Sequence, residues 1–355
     1  MQRIRSILKK RYIEASAPCR IDMGGTLDIS TFYYPLRHLS PCTFNIALNL
    51  RTRIRLFPYN EGIIKVSSRG FKSAEYPTDK ISFNHPLGLM FAIASYFRAE
   101  GVHIDIDSSS PPRSALGGSS AAAVALTGAF ARISQDHAES KVPGRKIALL
   151  AHALEESVAG LPCGLQDQLA AVYGGVNSWY WKSDIKGHSF KKRAVIKKQF
   201  FNNFRQHLLL AYCGFPHESK NINQKWIKQF VSGKYHKLWA EIISCTQMFN
   251  KALLEKNFKN ACIAMNRETA IRRKMTPDVL DKMGIRLVDL AVNHKCGARF
   301  TGAGGGGCIW AIGEINDISR LRHAWGEALL KRKEACLLDV NIDSKGLEVN
   351  EGLRD

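Results

Sequence analysis

A loop of small residues is the first feature of this sequence that could do chemistry. Residues 111–123 read PPRSALGGSSAAA, so no bulky side chain occurs from Gly117 to Ala123, and an alanine-rich helical stretch follows. Such a loop lets backbone N–H groups approach an anion, and the N-terminus of the following helix adds a favourable dipole. The hydroxyls of Ser119 and Ser120 can reach a metal ion or a phosphate oxygen. The pattern indicates a nucleotide triphosphate site, although a helix N-cap by Ser119 would explain the same residues.

Carboxylates follow this loop at a spacing that suits phosphoryl transfer. Glu155 and Glu156 end one predicted helix, and Asp167 follows a glycine break at the start of another. Taken singly, Asp167 could be a helix N-cap and Glu156 a solvated charge. A carboxylate that holds Mg²⁺, a carboxylate that orients a hydroxyl and an anion-binding loop are nevertheless the parts that phosphoryl transfer requires.

A third cluster lies near the N-terminus, where residues 17–28 read APCRIDMGGTLD. Arg20 falls in a predicted strand, and Gly24 and Gly25 allow a tight turn that presents Asp28. A strand followed by an ordinary glycine turn is the simpler interpretation. Beside the other clusters, the segment favours a polyol-binding edge.

A second glycine loop, residues 302–307, reads GAGGGG and formally satisfies G-x-G-x-x-G. A dinucleotide fingerprint requires a helix after this loop, whereas the residues that follow, CIWAI, predict a strand. The loop is therefore predicted to join two strands and to pack closely near a ligand. Residues 117–121 approach the G-x-S-x-G elbow of serine hydrolases, but a turn precedes them where that elbow requires a strand.

Composition limits the class of protein. The 355 residues are sufficient for two domains. No apolar run is long enough to cross a bilayer and no apolar signal core is present, so we expect a cytoplasmic protein without a membrane partner. The nine cysteines, without a CxxC pair, favour reduced thiols, and a zinc site is poorly supported.

The net charge of +20 raises the possibility of a nucleic-acid partner. The basic residues are dispersed, however, in segments that include 3–11, 191–198, 220–237 and 272–274, and no nucleic-acid-binding motif accompanies them. We therefore expect a solvated basic surface that favours anionic substrates, and no nucleic-acid partner.

Hydrophobic periodicity predicts an α+β chain in two halves. The first ten residues resemble a basic tail, and the basic, polar stretch 182–205 is interpreted as a linker. Strands are predicted near 12–21, 43–58, 63–67, 102–107, 175–181, 207–213, 300, 308–312, 335–341 and 346–349. Helices are predicted near 86–99, 121–130, 144–158, 167–173, 221–231, 235–254, 256–269, 277–293 and 317–331.

The four clusters, in this order, resemble the GHMP kinase superfamily. Its three motifs are similar to residues 17–28, 111–120 and 297–307, with Ala115 replacing a glycine and Gly118 the first serine of the second motif. The resemblance implies an α+β fold of two domains with the active site between them. Residues 12–200 would form an N-terminal ribosomal-protein-like α/β domain that carries the ATP-binding loop 111–121. Residues 201–355 would form a C-terminal ferredoxin-like α+β domain that carries the glycine loop 302–307.

The resemblance also implies ATP and Mg²⁺ as cofactors and gives roles to individual residues. Asp167 would accept or orient the proton of the attacking hydroxyl, and Arg20 beside it would keep it ionised. ATP would bind along Pro112, Leu116, Gly117, Gly118, Ser119, Ser120 and Ala121. The acceptor would contact Asp28, Gly24, Gly25, Gly302, Gly304 and Gly305. Mg²⁺ would lie between Ser119 and Glu156, or Glu155 if the helix register differs by one residue.

The segment 161–168, LPCGLQDQ, is similar to the galactokinase segment around its catalytic aspartate, and residues 20–28 are closer to heptose 7-phosphate and fucose kinases. The resemblance thus implies ATP-dependent phosphorylation of a sugar or sugar phosphate by a monomer or homodimer. The galactokinase Glu-His pair is missing from the first motif. An inactive relative that only binds ligand, and a mevalonate- or homoserine-type kinase, remain alternatives.

Overall fold

Two sheets organise the part of the chain that the computed structural model describes, namely residues 3–134, 142–182, 190–216 and 219–354. The strands are β1 (Arg11–Met23), β2 (Cys42–Pro58), β3 (Ile63–Ser68), β4 (Ala74–Pro77), β5 (Val102–Ser108), β6 (Val176–Trp181), β7 (Phe190–Ile196), β8 (Leu208–Tyr212), β9 (Gly297–Phe300), β10 (Cys308–Ile312), β11 (Cys336–Leu337) and β12 (Glu348–Leu353). The α-helices are α1 (Arg3–Lys10), α2 (Ser30–Tyr33), α3 (Gly88–Tyr96), α4 (Gly118–Ile133), α5 (Gly144–Ala159), α6 (Gln166–Tyr173), α7 (Phe201–Arg205), α8 (Ser219–Val231), α9 (His236–Leu254), α10 (Phe258–Met275), α11 (Lys282–Asn293) and α12 (Ile315–Leu329).

The long strand β2 is the centre of the first sheet. It pairs with β1 along most of its length, with β6 through its first residues and with β5 through its last. The path runs β12-β1-β2-β5-β3-β4, with β6 and β7 beside the first part of β2, and its pairs are antiparallel except β3 with β5. Ile54 and Leu56 are buried while Arg53 and Arg55 face outward, as the alternating sequence predicts.

Helices cover both sheets and bring the small-residue loop to the first one. Helix α4 packs on β1 and β2 and contacts α5 and α6. Its alanines are buried on nearly every side, because their small side chains let the backbone approach neighbouring elements closely. The second sheet has the order β11-β8-β10-β9, and α10, α11 and α12 pack against it. The predicted α+β, two-domain fold is confirmed.

The last strand crosses the predicted domain division. The chain passes from the first sheet to the second between β7 and β8, and β12 returns to pair with β1. The C-terminal residues therefore belong to the first sheet, where they satisfy backbone groups that the edge of β1 would otherwise leave unpaired.

Two predictions based on basic composition are wrong. The first ten residues form a helix rather than a tail from residue 3 onward, with Ile4 and Leu8 buried. Their apolar side chains recur at helical spacing between the basic ones. The predicted linker 182–205 contains β7 and α7, although part of it lies outside the described residues.

No helix in the described ranges is both long enough and apolar enough to cross a bilayer.

Replacing Leu8 by alanine tests whether α1 belongs to the core. Leu8 has no exposed surface, so Leu8→Ala should lower the free energy of unfolding by about 2–5 kcal/mol. The exposed neighbour Lys9 supplies the control, Lys9→Ala, which should change it little. Equal denaturant midpoints for the two variants would show that α1 does not contribute to the core.

Candidate active site

A cleft of about 440 Å³ brings together most of the residues that the sequence singled out. The predicted site residues that line it are Arg20, Asp28, Pro112, Leu116, Gly117, Gly118, Ser119, Ser120, Asp167 and Gly302. They come from β1 and the turn after it, from the loop before α4, from α6, and from the loop between β9 and β10. The cleft is therefore lined by the first sheet and by the loop that joins two strands of the second.

The N-terminus of α4 opens into this cleft. Gly117 is the N-cap residue, with φ of +74° and no side-chain cap, so the N-cap interpretation of Ser119 is wrong. The Ala121 N–H donates to the Gly117 carbonyl at 2.9 Å. The amides of Gly118, Ser119 and Ser120 precede this bond and have no acceptor within the helix, which suits them to an anion.

Ala121 does not fit its predicted role as an ATP-binding residue. Its amide is used within the helix, its side chain is buried in the core, and it does not line the cleft. The backbone amides without an acceptor in the helix therefore end at Ser120.

The loop before α4 is held from two sides. The Arg20 guanidinium donates to the Ala115 carbonyl at 2.7 Å, and the Cys308 N–H donates to the Ser114 carbonyl at 3.0 Å. Ala115, which replaces the glycine of the resembling motif, has φ of +62°. This left-handed conformation costs about 1–2 kcal/mol for a residue with a Cβ, so the surrounding contacts must stabilise it.

Arg20 holds Asp167 through two charge-assisted hydrogen bonds. Nε and Nη2 of Arg20 donate to Oδ1 and Oδ2 of Asp167 at 2.7 and 2.6 Å. Burial lowers the pKa of Arg20, but the carboxylates of Asp167 and Asp22 outweigh it, so the pKa is raised. A Cβ added to Gly117 would lie 3.3 Å from Asp167 Oδ2. The aspartate therefore adjoins the anion-binding loop.

Glu155, rather than Glu156, faces the loop. The Glu155 carboxylate accepts hydrogen bonds from the hydroxyls of Ser119 at 3.1 Å and Ser120 at 2.8 Å, and from the Gln168 amide at 2.6 Å. Burial raises the pKa of Glu155. Glu156 instead accepts from the Cys163 N–H at 3.2 Å and does not line the cleft. The structure thus favours Glu155, the alternative for a helix register that differs by one residue, as the carboxylate beside Ser119.

Asp28 is a buried, tightly packed residue of the cleft lining. Its Oδ2 accepts from the Gln166 N–H at 3.0 Å, while its Oδ1 is buried without a hydrogen-bond partner. Burial raises the pKa of Asp28 to about 6. A Cβ on Gly164 would lie 2.0 Å from the Asp28 carboxylate, so only glycine fits there.

Four glycines predicted to bind substrate serve close packing instead. Gly24, Gly25, Gly304 and Gly305 do not line the cleft. A Cβ added to Gly24 would lie 2.6 Å from Thr246, and one added to Gly25 would lie 2.5 Å from Asp22. A Cβ added to Gly304 would lie 2.5 Å from the Val279 carbonyl, and one added to Gly305 would lie 2.6 Å from Ile222. Gly302 does line the cleft, and its N–H donates to Asp22 Oδ1 at 2.7 Å.

A buried chain of ion pairs behind the cleft is not apparent from the sequence. Arg299 contacts Asp22 at 3.1 Å and Glu268 at 2.9 Å, and Glu268 also contacts Arg272 at 2.9 Å. These four side chains have no exposed surface. At the other end of the chain, Arg20 lies 3.8 Å from Asp22.

The chain of ion pairs ends against the turn that follows β1. Arg272 donates to the Gly25 carbonyl at 2.6 Å and stacks on two tryptophans, Trp226 and Trp239. The sequence placed Arg272 on a solvated basic surface, which is wrong. The available signal was Asp22, a charge between the apolar residues Ile21 and Met23, because a buried charge requires a partner.

Comparisons with known proteins agree with this fold and this cleft. Residues 84–175 match the family model for the GHMP kinases N terminal domain. The chain is 23% identical to the mevalonate kinase of Pyrococcus abyssi over 372 residues, covering 96% of this chain and 98% of that protein. It is 31% identical to probable glucuronokinase 2 of Arabidopsis thaliana over 153 residues, covering 42% of this chain and 41% of that protein.

A solved structure extends the likeness over both sheets. The fold is similar to that of Lactococcus lactis galactokinase complexed with galactose, with a TM-score of 0.69 and 16% identity over 95% of each chain. The chain therefore has the two-domain α+β fold of the GHMP kinases, and residues 84–175 match their N-terminal domain.

Glu268→Gln tests the buried chain of ion pairs. Burial raises the pKa of Glu268, but Arg299 and Arg272 outweigh it and the pKa is lowered. The variant leaves two buried arginines without their shared counter-charge, which should cost about 3–5 kcal/mol of unfolding free energy at pH 7.

The difference between wild type and Glu268→Gln should depend on pH. In the unfolded chain the pKa of Glu268 is about 4.3, and in the folded protein it is lower. The ionised carboxylate therefore stabilises the folded state fully above about pH 4.3, and this stabilisation is lost as the pH falls through the pKa of the folded state. Denaturation at pH 7 and below pH 4 measures this. Glu241→Gln, in an exposed pair with Arg267, is the control and should have little effect. An equal loss in both variants would contradict the assignment.

Proposed function

We propose that the protein transfers the γ-phosphoryl group of ATP to a hydroxyl of a sugar or sugar phosphate. That it is a phosphotransferase of the GHMP kinase family follows from the comparisons. The observation that carries the finer proposal is the position of Asp167, fixed by Arg20 beside the loop at Gly117 and lining the same cleft as Asp28.

GHMP kinases use ATP, and the cleft offers it two kinds of surface. The amides of Gly118, Ser119 and Ser120 at the N-terminus of α4 suit the phosphates. Apolar side chains of Phe71 and Met90 line the same cleft and suit a nucleobase.

The residues beside the loop also fit Mg²⁺. A carboxylate and a hydroxyl are ligands that Mg²⁺ accepts, and the ion commonly takes one or two carboxylates together with substrate phosphates. Ser119 and Glu155 would hold it, because their oxygens lie 3.1 Å apart at the phosphate-facing end of α4. When bound, Mg²⁺ neutralises charge on the β- and γ-phosphates.

The chain's own residues orient the acceptor. The acceptor hydroxyl oxygen forms a bond to the γ-phosphorus while the bond from that phosphorus to the bridging oxygen of ADP breaks. The hydroxyl proton passes to Asp167, whose carboxylate oxygens retain lone pairs beyond those used by Arg20. Arg20, held by Asp167 and by the Ala115 carbonyl, keeps the carboxylate facing the loop.

A mevalonate-type activity is the second candidate. It is favoured by the relative from Pyrococcus abyssi, which aligns with nearly the whole chain and is named mevalonate kinase. The presence of Asp167, Arg20 and Ser119 in one cleft argues against an inactive relative that only binds ligand.

Asp167→Asn should abolish most of the turnover. An amide cannot accept the hydroxyl proton, so kcat should fall by about 10²–10⁴-fold, while the Kd for ATP should change little because the loop remains intact. Coupled measurement of ADP release and a separate nucleotide titration check both parts. Near-normal turnover would refute the role of Asp167.

The neighbouring glutamates provide a matched test of the metal site. Glu155→Gln should increase the Mg²⁺ concentration that gives half-maximal activity by about tenfold or more, since the ligand loses its charge. Glu156→Gln should leave it near the wild-type value, because Glu156 does not line the cleft. A metal requirement that shifts only in Glu156→Gln would reverse the assignment.

A further inference from the structure

Three residues that line the cleft each carry a buried side-chain oxygen that has no hydrogen-bond partner in the described part of the chain. These oxygens are Asp28 Oδ1, Gln166 Oε1 and Asn223 Oδ1. Asp28 and Gln166 are each only 4% exposed. A buried acceptor that stays unpaired costs about 1–3 kcal/mol, so this group of oxygens is suited to a ligand that brings hydrogen-bond donors.

The three oxygens are placed to act together with Asp167. Gln166 precedes Asp167 at the start of α6, and its N–H is bonded to the Asp28 carboxylate at 3.0 Å. Asn223 lies on α8, and it lines the same cleft. We therefore expect a ligand whose hydroxyl faces Asp167 to direct its neighbouring hydroxyls towards these three residues.

Charge at this end of the cleft disfavours an anion. Among the described lining residues the cations are Arg20, Arg69 and Arg113. Arg20 is bound to Asp167, and Arg113 belongs to the loop before α4. Arg69 lies near the same loop, because a Cβ added to the next residue, Gly70, would lie 3.0 Å from Pro112. Asp28 and Asp167 remain as carboxylates on the acceptor side. An anionic group placed there would meet like charges, which costs several kcal/mol at a desolvated site.

We infer that the acceptor is an uncharged polyol, a free sugar that donates hydroxyl hydrogens to Asp28, Gln166 and Asn223. This rests on the proposed function and narrows it. Hydroxyls donate and accept, whereas a carboxylate or a fully ionised phosphate only accepts. Sugar acids, hydroxy acids and sugar phosphates would therefore leave part of this group unpaired.

Matched acceptor pairs test the inference. Initial rates with Mg-ATP are compared for galactose with galacturonate, glucose with glucuronate and glucose with glucose 6-phosphate, with mevalonate as a further acid. The neutral member of at least one pair should show a kcat/KM higher by about tenfold or more, because a site built for hydroxyl donors rejects groups that cannot donate. A preference for charged acceptors overturns the inference and leaves the phosphotransferase proposal intact.

A binding measurement separates the two proposals when no acceptor turns over. Calorimetry with the same compounds and a non-hydrolysable ATP analogue reports acceptor binding without chemistry. Binding of neutral sugars without turnover would support the inference and contradict the proposed kinase activity. Binding of charged members only, or of none, would overturn the inference.

Variants distinguish charge from hydrogen bonding. Asp28→Asn keeps an acceptor oxygen but removes the charge, so the ratio of kcat/KM for neutral over charged acceptors should fall by about tenfold. Asn223→Leu should lower kcat/KM for the neutral sugar, whereas Asn223→Asp, which keeps an oxygen, should retain more of it. Ile318→Val, a buried apolar change on α12 outside the cleft lining, is the control and should leave the ratio unchanged. An unchanged ratio in Asp28→Asn contradicts the inference.

Discussion

Alternating charges, most of them fully buried, connect Asp167 to the second half of the molecule. The series runs from α6 through β1 and β9 to α10 and comprises Asp167, Arg20, Asp22, Arg299, Glu268 and Arg272. Charges removed from water are tolerated when each has a partner, and the loss of one member exposes its neighbours to an uncompensated desolvation cost. The orientation of Asp167 therefore depends on residues that never touch a ligand, and the series fixes the two sheets relative to each other.

The loop before α4 and the loop between β9 and β10, both rich in glycine, pack against each other. A Cβ on Gly307 would lie 2.6 Å from the Ser114 carbonyl, and the Gly302 N–H is bonded to Asp22. The second loop thus packs against the loop before α4 and joins it to the buried charges. This explains why glycines that do not line the cleft still occur beside it.

The spacing of residues within short segments was sufficient to predict part of the candidate site. The strand that carries Arg20 and the turn that presents Asp28 occur where expected, whereas α4 begins at Gly118, three residues before the predicted helix. The choice between Glu155 and Glu156 depends on the rotation of α5, which a single residue of register changes. Helix α1 was missed because its basic residues mask the apolar spacing. The partners of Asp22 lie on elements far away in the sequence, and no local pattern identifies them.

Ala115 has a consequence for the order of the loop before α4. A glycine at this position would sample many backbone conformations, whereas alanine has fewer available. The bond from Arg20 to the Ala115 carbonyl holds the residue in a left-handed conformation that its Cβ disfavours. Under the proposed function, the loop is thus already ordered before the phosphates bind, which lowers the entropic cost of binding.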